Sequence, residues 1–231
     1  MNIGIVIDCC SVLIGGLIGS LIKEHLSDSF KTQLTKVLGL SSMGMGVAAI
    51  VLMEHMPAVI FALIIGTSIG LIIHLGKLIN QGAVLMNSLV SKSETNPDRS
   101  EMMVTAVVLF CASGTGIYGA LTAGMSGDSS ILIAKSMLDL FTAMIFACTL
   151  GRSVSLIAIP QFIILEALYL LAGVIIPLTT PSMINDFKAC GGFIMLATGF
   201  RMVKLLDFPI ADMLPAMILV MPFSALWASI F

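Results

Sequence analysis

Apolar runs about as long as a bilayer is thick recur along the whole of this chain, and the first of them, IGIVIDCCSVLIGGLIGSLI, begins at residue 3. A transmembrane helix needs roughly 20 predominantly apolar residues to cross a hydrocarbon core about 30 Å thick. Of 231 residues, 58% are hydrophobic and 10% charged, with a mean hydropathy of +1.10. Soluble domains of ordinary composition do not approach these values. The expected fold is therefore an all-α integral membrane protein, one polytopic domain over residues 1–231 with about eight spans. Breaks at charge, Gly or Pro place the spans at residues 3–22, 34–53, 57–79, 102–123, 129–150, 155–176, 183–203 and 210–230.

Local chemistry supports these limits. Pro57, Pro181 and Pro209 stand where a first helical turn tolerates proline, and Asp128-Ser129 offers N-cap oxygens. Pro215 and Pro222 both fall in the last span and predict a kink. The start MNIGIVIDCCSVLIGGLIGS lacks a basic leader segment and carries Asp8, so it is expected to persist as the first span. Residues 91–101, SKSETNPDRSE, form the one extended polar segment and read as a flexible cytoplasmic loop. Residues 80–90 before it either lie along the interface or prolong the third span.

The formal net charge of −2 says little, but the positions of the basic residues set an orientation. Lys23, Lys31, Lys36, Lys77, Lys92, Arg99, Arg152, Arg201 and Lys204 all fall on the odd-numbered connections or within three residues of the span ends beside them, nine of the eleven Lys and Arg residues. Basic residues are retained on the cytoplasmic side, so both termini are expected to be extracytoplasmic. The two exceptions, Lys135 and Lys188, lie deeper within spans.

A shift of 153 residues lays the first three spans on the last three, with Gly39 on Gly192, Gly46 on Gly199, Glu54 near Asp207 and Ala58 on Ala211. Chance matching among apolar residues is one reading. An inverted repeat, a recurring plan of secondary transporters, is the other. Glycines concentrate within the spans, where small residues let helix backbones approach closely in lipid. Ser113-Gly114-Thr115-Gly116, followed by Gly119, is set apart by two hydroxyls beside exposed backbone, which could unwind and offer carbonyls to an ion or solute.

Ionisable groups inside a bilayer ask for a partner or a function, because burying one costs roughly 2.5–3.5 kcal/mol on insertion scales. Lys135 and Asp139 are four apart on one face of the fifth span, and Thr142, Phe146 and Thr149 extend that face. They either lock the helix into the bundle or take part in an ion or proton path, with Asp139 as acceptor and Lys135 as counter-charge. Glu166, at mid-depth in the sixth span, is a second candidate or simply a protonated carboxyl. Asp8, His74, Asp186, Lys188 and Asp212 lie nearer span ends, where solvation is the usual explanation. Asp186 and Lys188 rank first among these because they flank Gly191-Gly192.

Cys9, Cys10, Cys111, Cys148 and Cys190 lie in apolar runs without metal-ligand spacing and read as packing residues. No HExxH and no Walker-type loop is present, no GxSxG falls at a strand-to-helix elbow, and His25, His55 and His74 are scattered. Neither an enzyme nor a metal or cofactor site is expected.

The segments GDSSILIAKSMLDLFTAMIFACTLG (127–151), MINDFKACGGFIMLATGFRM (183–202) and IADMLPAMIL (210–219) resemble the YqgA/YdfK family of bacterial inner-membrane proteins. SVLIGGLIGSLI and VLGLSSMGMGVAA in the N-terminal part fit it as well. The resemblance implies a multi-pass protein of the bacterial inner membrane, grouped with transporters but without an assigned activity. It carries over to Gly127, Asp128, Lys135 and Asp139, and assigns no role to Asp8 or Glu166. Together these readings lead to the expectation of a secondary transporter or channel for a small solute or ion. The alternative is a non-transporting scaffold or sensor module. Lipid and a small solute or ion are the expected partners, nucleic acid is not, and a homo-oligomer stays open.

Overall fold

The computed structural model describes residues 2–22, 27–81, 102–103, 106–107, 109–111 and 113–230. The expected loop 91–101, the segment 82–90, and Lys23, Lys92 and Arg99 lie outside the described residues. Helices α1 (Ile3–Ile22), α2 (Asp28–Ile50) and α3 (Met56–Ile72) come first, followed by helical turns at 75–81 and in the described residues 102–111. The rest are α4 (Gly114–Ser126), α5 (Ser130–Leu150), α6 (Ala158–Ile175), α7 (Pro181–Met202) and α8 (Pro215–Ile230). Among the described residues there is no strand.

The helix ends follow from local chemistry. Pro57 occupies the first turn of α3, where its missing N–H has no intrahelical acceptor to lose. Pro181 opens α7 behind Thr180, whose hydroxyl accepts from the Met183 N–H at 3.3 Å. At the start of α5 the capping oxygen belongs to Asp128, whose Oδ1 accepts from the Ser130 N–H at 2.9 Å and the Ser130 hydroxyl at 2.6 Å. Ser129 donates instead to Asn2 Oδ1 at 3.0 Å.

Three expected spans are less continuous than the apolar runs suggested. His74, at φ 55°, ends α3 and turns its ring Nδ1 to the Leu71 carbonyl. Ser113 is extended (φ −69°, ψ 140°) and interrupts the fourth span immediately before α4. The last begins as a 3₁₀ turn, Ile210–Met213, and Pro215 then opens α8 rather than bending it, leaving Pro222 as the proline inside that helix.

The chain forms two compact units: Met1–Thr35 with Ile79–Ala172, and Lys36–Leu78 with Gly173–Phe231. In the first, α1 lies so close along α5 that a Cβ on Gly15 would stand 2.3 Å from the Leu140 carbonyl oxygen, and one on Gly19 2.3 Å from that of Met144. Ile5, Val12, Phe110, Leu132 and Leu165 belong to its core. In the second, α2 meets α7 at Gly39, Gly46, Gly192 and Gly199, and α3 meets α8 where Gly66 faces Ala216. Small residues at these seams permit the backbone approach that holds helices together in lipid.

Large apolar side chains face outward in both units; Val51, Ile72 and Ile218 are more than 70% exposed. Among the described residues, four helical stretches are long and apolar enough to cross a membrane: Ile3–Ile22, Met56–Ile73, Ser130–Val174, which joins α5 to α6, and Ile210–Ile230. Outward apolar surface of this extent has lipid as its natural solvent.

Candidate functional site

The candidate site lies inside the first unit, where α1, α5 and α6 bring four polar side chains together. Gly4, Asp8, Val12, Gly15 and Gly19 repeat every three or four residues and form the buried face of α1. Asp8 is thus drawn against α5 by the same glycines that let the two backbones touch. On α5 the buried stripe runs through Leu132, Lys135, Asp139 and Thr142.

Lys135 Nζ donates to Asp8 Oδ2 at 3.0 Å and also to Asp139 Oδ2. From α6, Gln161 Nε2 donates to Asp8 Oδ2 at 2.9 Å and to Asp139 Oδ2 at 3.2 Å. Asp8 and Gln161 are fully buried, Lys135 is 2% exposed and Asp139 7%. Among the described residues, Asp8 Oδ1 and Gln161 Oε1 have no hydrogen-bond partner. Buried polar atoms are rarely left in that state. With all three groups ionised, two carboxylates and one ammonium leave a net negative charge in a water-poor interior, which is the costly condition.

The fourth-span motif borders this cluster. Ser113 Oγ accepts from the Gly116 N–H at 3.1 Å and caps α4, and Thr115 is buried. A Cβ on Gly116 would stand 3.1 Å from Lys135 Cε, so this glycine makes room for the lysine stem. Of this motif Ser113 is non-helical, while Gly114, Thr115 and Gly116 already belong to α4.

The other expected residues lie elsewhere. Asp128 caps α5 at its exposed start. Glu166 is half-buried on α6, five residues beyond Gln161 and so on a different helix face. In the second unit Asp186 is fully buried and accepts from the Glu54 N–H at 2.8 Å, the His55 N–H at 2.9 Å and the Ser224 hydroxyl at 2.6 Å. Its Oδ2 also lies 2.8 Å from His55 Nδ1. Lys188, two residues further along α7, is half-buried and points away from Asp186.

Asp8 corrects the sequence reading. Assigned to a solvated span end, it is instead a fully buried partner of Lys135. The signal was its place with Gly15 and Gly19 in one i, i+7, i+11 stripe. Gln161 was missed altogether; it stands 153 residues after Asp8, the same shift at which the first three expected spans were laid on the last three.

An apolar groove of about 310 Å³ between α1 and α6 is lined by Val6, Cys9, Cys10, Leu13, Phe162 and Ile163, among others. None of the four cluster residues lines it.

Apolar outward faces, helices of membrane-crossing length and a buried ion cluster define an all-helical membrane protein. The chain belongs to the family described as "Protein of unknown function (DUF554)", which matches residues 3–225. It is 46% identical over 234 residues to the Escherichia coli (strain K12) "Uncharacterized protein YqgA", with 100% of both chains covered. It is 27% identical over 217 residues to the Bacillus subtilis (strain 168) "Uncharacterized membrane protein YdfK", covering 94% of this chain and 93% of that one. No solved structure matches.

Proposed function

We propose that this protein is a secondary transporter or channel for a small solute or ion, multi-pass in a bacterial inner membrane and without enzymatic activity. The carrying observation is the buried cluster of Asp8, Lys135, Asp139 and Gln161, which has one ammonium for two carboxylates and two unpartnered oxygens. Such a centre takes up one further positive charge at low cost. Uptake would weaken the hold of one carboxylate on Lys135 and bias the packing of α1 against α5.

Repeat architecture supports the same reading. At the offset of 153, α1 falls on α6, α2 on α7, and α3 on the 3₁₀ turn and α8. Residues separated by that offset touch each other in both units: Gln161 donates to Asp8 in the first, and Ser42 Oγ donates to the Met195 carbonyl at 3.0 Å in the second. The α2–α7 seam is reciprocal as well, with Gly46 against the Gly192 carbonyl and Gly39 against that of Gly199. Self-paired contacts of this kind are what two inverted copies packed about a pseudo-two-fold axis would make. Eight spans with both termini extracytoplasmic complete the proposed topology.

The second reading, a scaffold or sensor module acting through partner helices, is favoured by one observation: the cluster is buried and the apolar groove does not reach it. Proteoliposome flux separates the two. A pH-sensitive dye and a panel of small metabolites and ions should report movement with the wild type and none with Asp139→Asn at equal folded protein. Absence of flux across the panel, or undiminished flux in the variant, overturns the transport reading.

A further inference from the structure

We infer that the charge cluster holds one bound proton, carried on Asp8 Oδ1 and donated in a hydrogen bond to Gln161 Oε1. The inference names the coupling ion of the transport reading and rests on it for that role only; the bound proton itself is read without flux.

The two unpartnered atoms of the cluster belong to one already bonded pair. Gln161 Nε2 donates to Asp8 Oδ2, leaving Asp8 Oδ1 and Gln161 Oε1 as the unused oxygens of a carboxyl and a carboxamide. Two acceptors cannot satisfy each other. A single hydrogen on Asp8 Oδ1 turns it into a donor, completes a two-bond acid–amide pair and removes both unsatisfied atoms at once. The second amide hydrogen of Gln161 remains directed at Asp139. The same proton neutralises the cluster, since Asp139 then pairs with Lys135 one to one. The step adds H⁺ to a carboxylate and is reversed by losing it; no other reactant is needed.

Asp8 is preferred to Asp139 because both unpartnered oxygens lie in the Asp8–Gln161 pair, whereas no oxygen of Asp139 is both buried and unpartnered. A proton is preferred to a metal cation because a cation replaces its hydration shell with several oxygens. Two free oxygens beside an ammonium do not provide that. The groups facing Asp8 are Lys135 and Asp139 from α5 and Gln161 from α6. The Cys9 and Cys111 thiols lie within electrostatic reach of the same charges.

Infrared difference spectroscopy on the full-length protein in lipid nanodiscs, at neutral pH and without added sodium or potassium, tests the inference. The wild type should show a deuterium-sensitive carbonyl stretch of a protonated carboxyl, lost in Asp8→Asn. Gln161→Leu should keep that band but move it to higher wavenumber as the acceptor disappears, and this readout stands even where Asp8→Asn fails to fold. Lys135→Met should raise the band to two protonated carboxyls. A wild type without the band, a band unchanged by Asp8→Asn or unshifted by Gln161→Leu, or one that sodium or potassium titrates away overturns the inference. A band without flux leaves the proton site standing and removes the transport reading; flux without the band does the reverse.

Discussion

Asp8 on α1 and Asp186 on α7 are both fully buried, yet their oxygens are treated differently. Asp186 divides its oxygens among two backbone N–H groups, the Ser224 hydroxyl and the His55 ring, which ties the entry to α3 to α7 and α8. Asp8 crowds Lys135 and Gln161 onto one oxygen and leaves the other without a partner among the described residues. A carboxylate saturated with donors has nothing left to bind, and its charge is dispersed over fixed dipoles. One that is undersupplied, beside a second carboxylate, has both the vacancy and the electrostatic reason to take up a positive charge. Burial alone therefore does not mark a working group; the count of donors against acceptors does.

Lys135→Met should test this contrast most severely. It removes the ammonium shared by Asp8 and Asp139 and leaves two buried carboxylates with Gln161 as their remaining donor in the cluster. Removing one member of a buried ion pair typically costs about 3–5 kcal/mol. A large fall in the thermal unfolding temperature in detergent is expected, restored in good part by adding Asp139→Asn. If stability is unchanged, the cluster is not the buried charged centre described above.

Next in size is Asp186→Asn. The amide nitrogen replaces one oxygen and faces donors, so at least one charge-assisted bond is lost, worth about 1.5–3 kcal/mol. Flux per folded molecule should be unaffected. Asp8→Asn should behave in the opposite way: the amide imitates a neutral carboxyl with its donor toward Gln161, so stability should shift by about 1 kcal/mol or less while flux is lost. Unfolding temperatures measured beside flux distinguish them. Equal destabilisation by the two substitutions would break the comparison.

The apolar runs made most of the helices legible, because length and hydropathy are local properties of the chain. The early ends at His74 and Ser113 were not, since a single residue with a turn conformation interrupts an apolar run without changing its composition. Lys135 and Asp139 were legible because both lie on one helix, four residues apart. Asp8 and Gln161 were not, because their partnership is tertiary: position along the span placed Asp8 near water, while the packing face of α1 decided its fate. Asp186 was singled out for its neighbours Gly191-Gly192, but its actual bonds run to Glu54, His55 and Ser224.

The smallest effect sharpens the comparison from the saturated side. α2 packs on α7, the helix that carries Asp186, through Gly46, where a Cβ would stand 2.6 Å from the Gly192 carbonyl oxygen. Gly44, two residues earlier, faces outward with nothing within 4 Å of the same added atom. Gly44→Ala should therefore leave the seam and Asp186 in place while reducing the freedom of the unfolded chain, a gain of about 0.4–1 kcal/mol where the backbone is compatible. A slightly higher unfolding temperature with unchanged flux is expected. Loss of flux from so unhindered a site would mean that α2 must move during the cycle, and the saturated region would then be a working part rather than a fixed one.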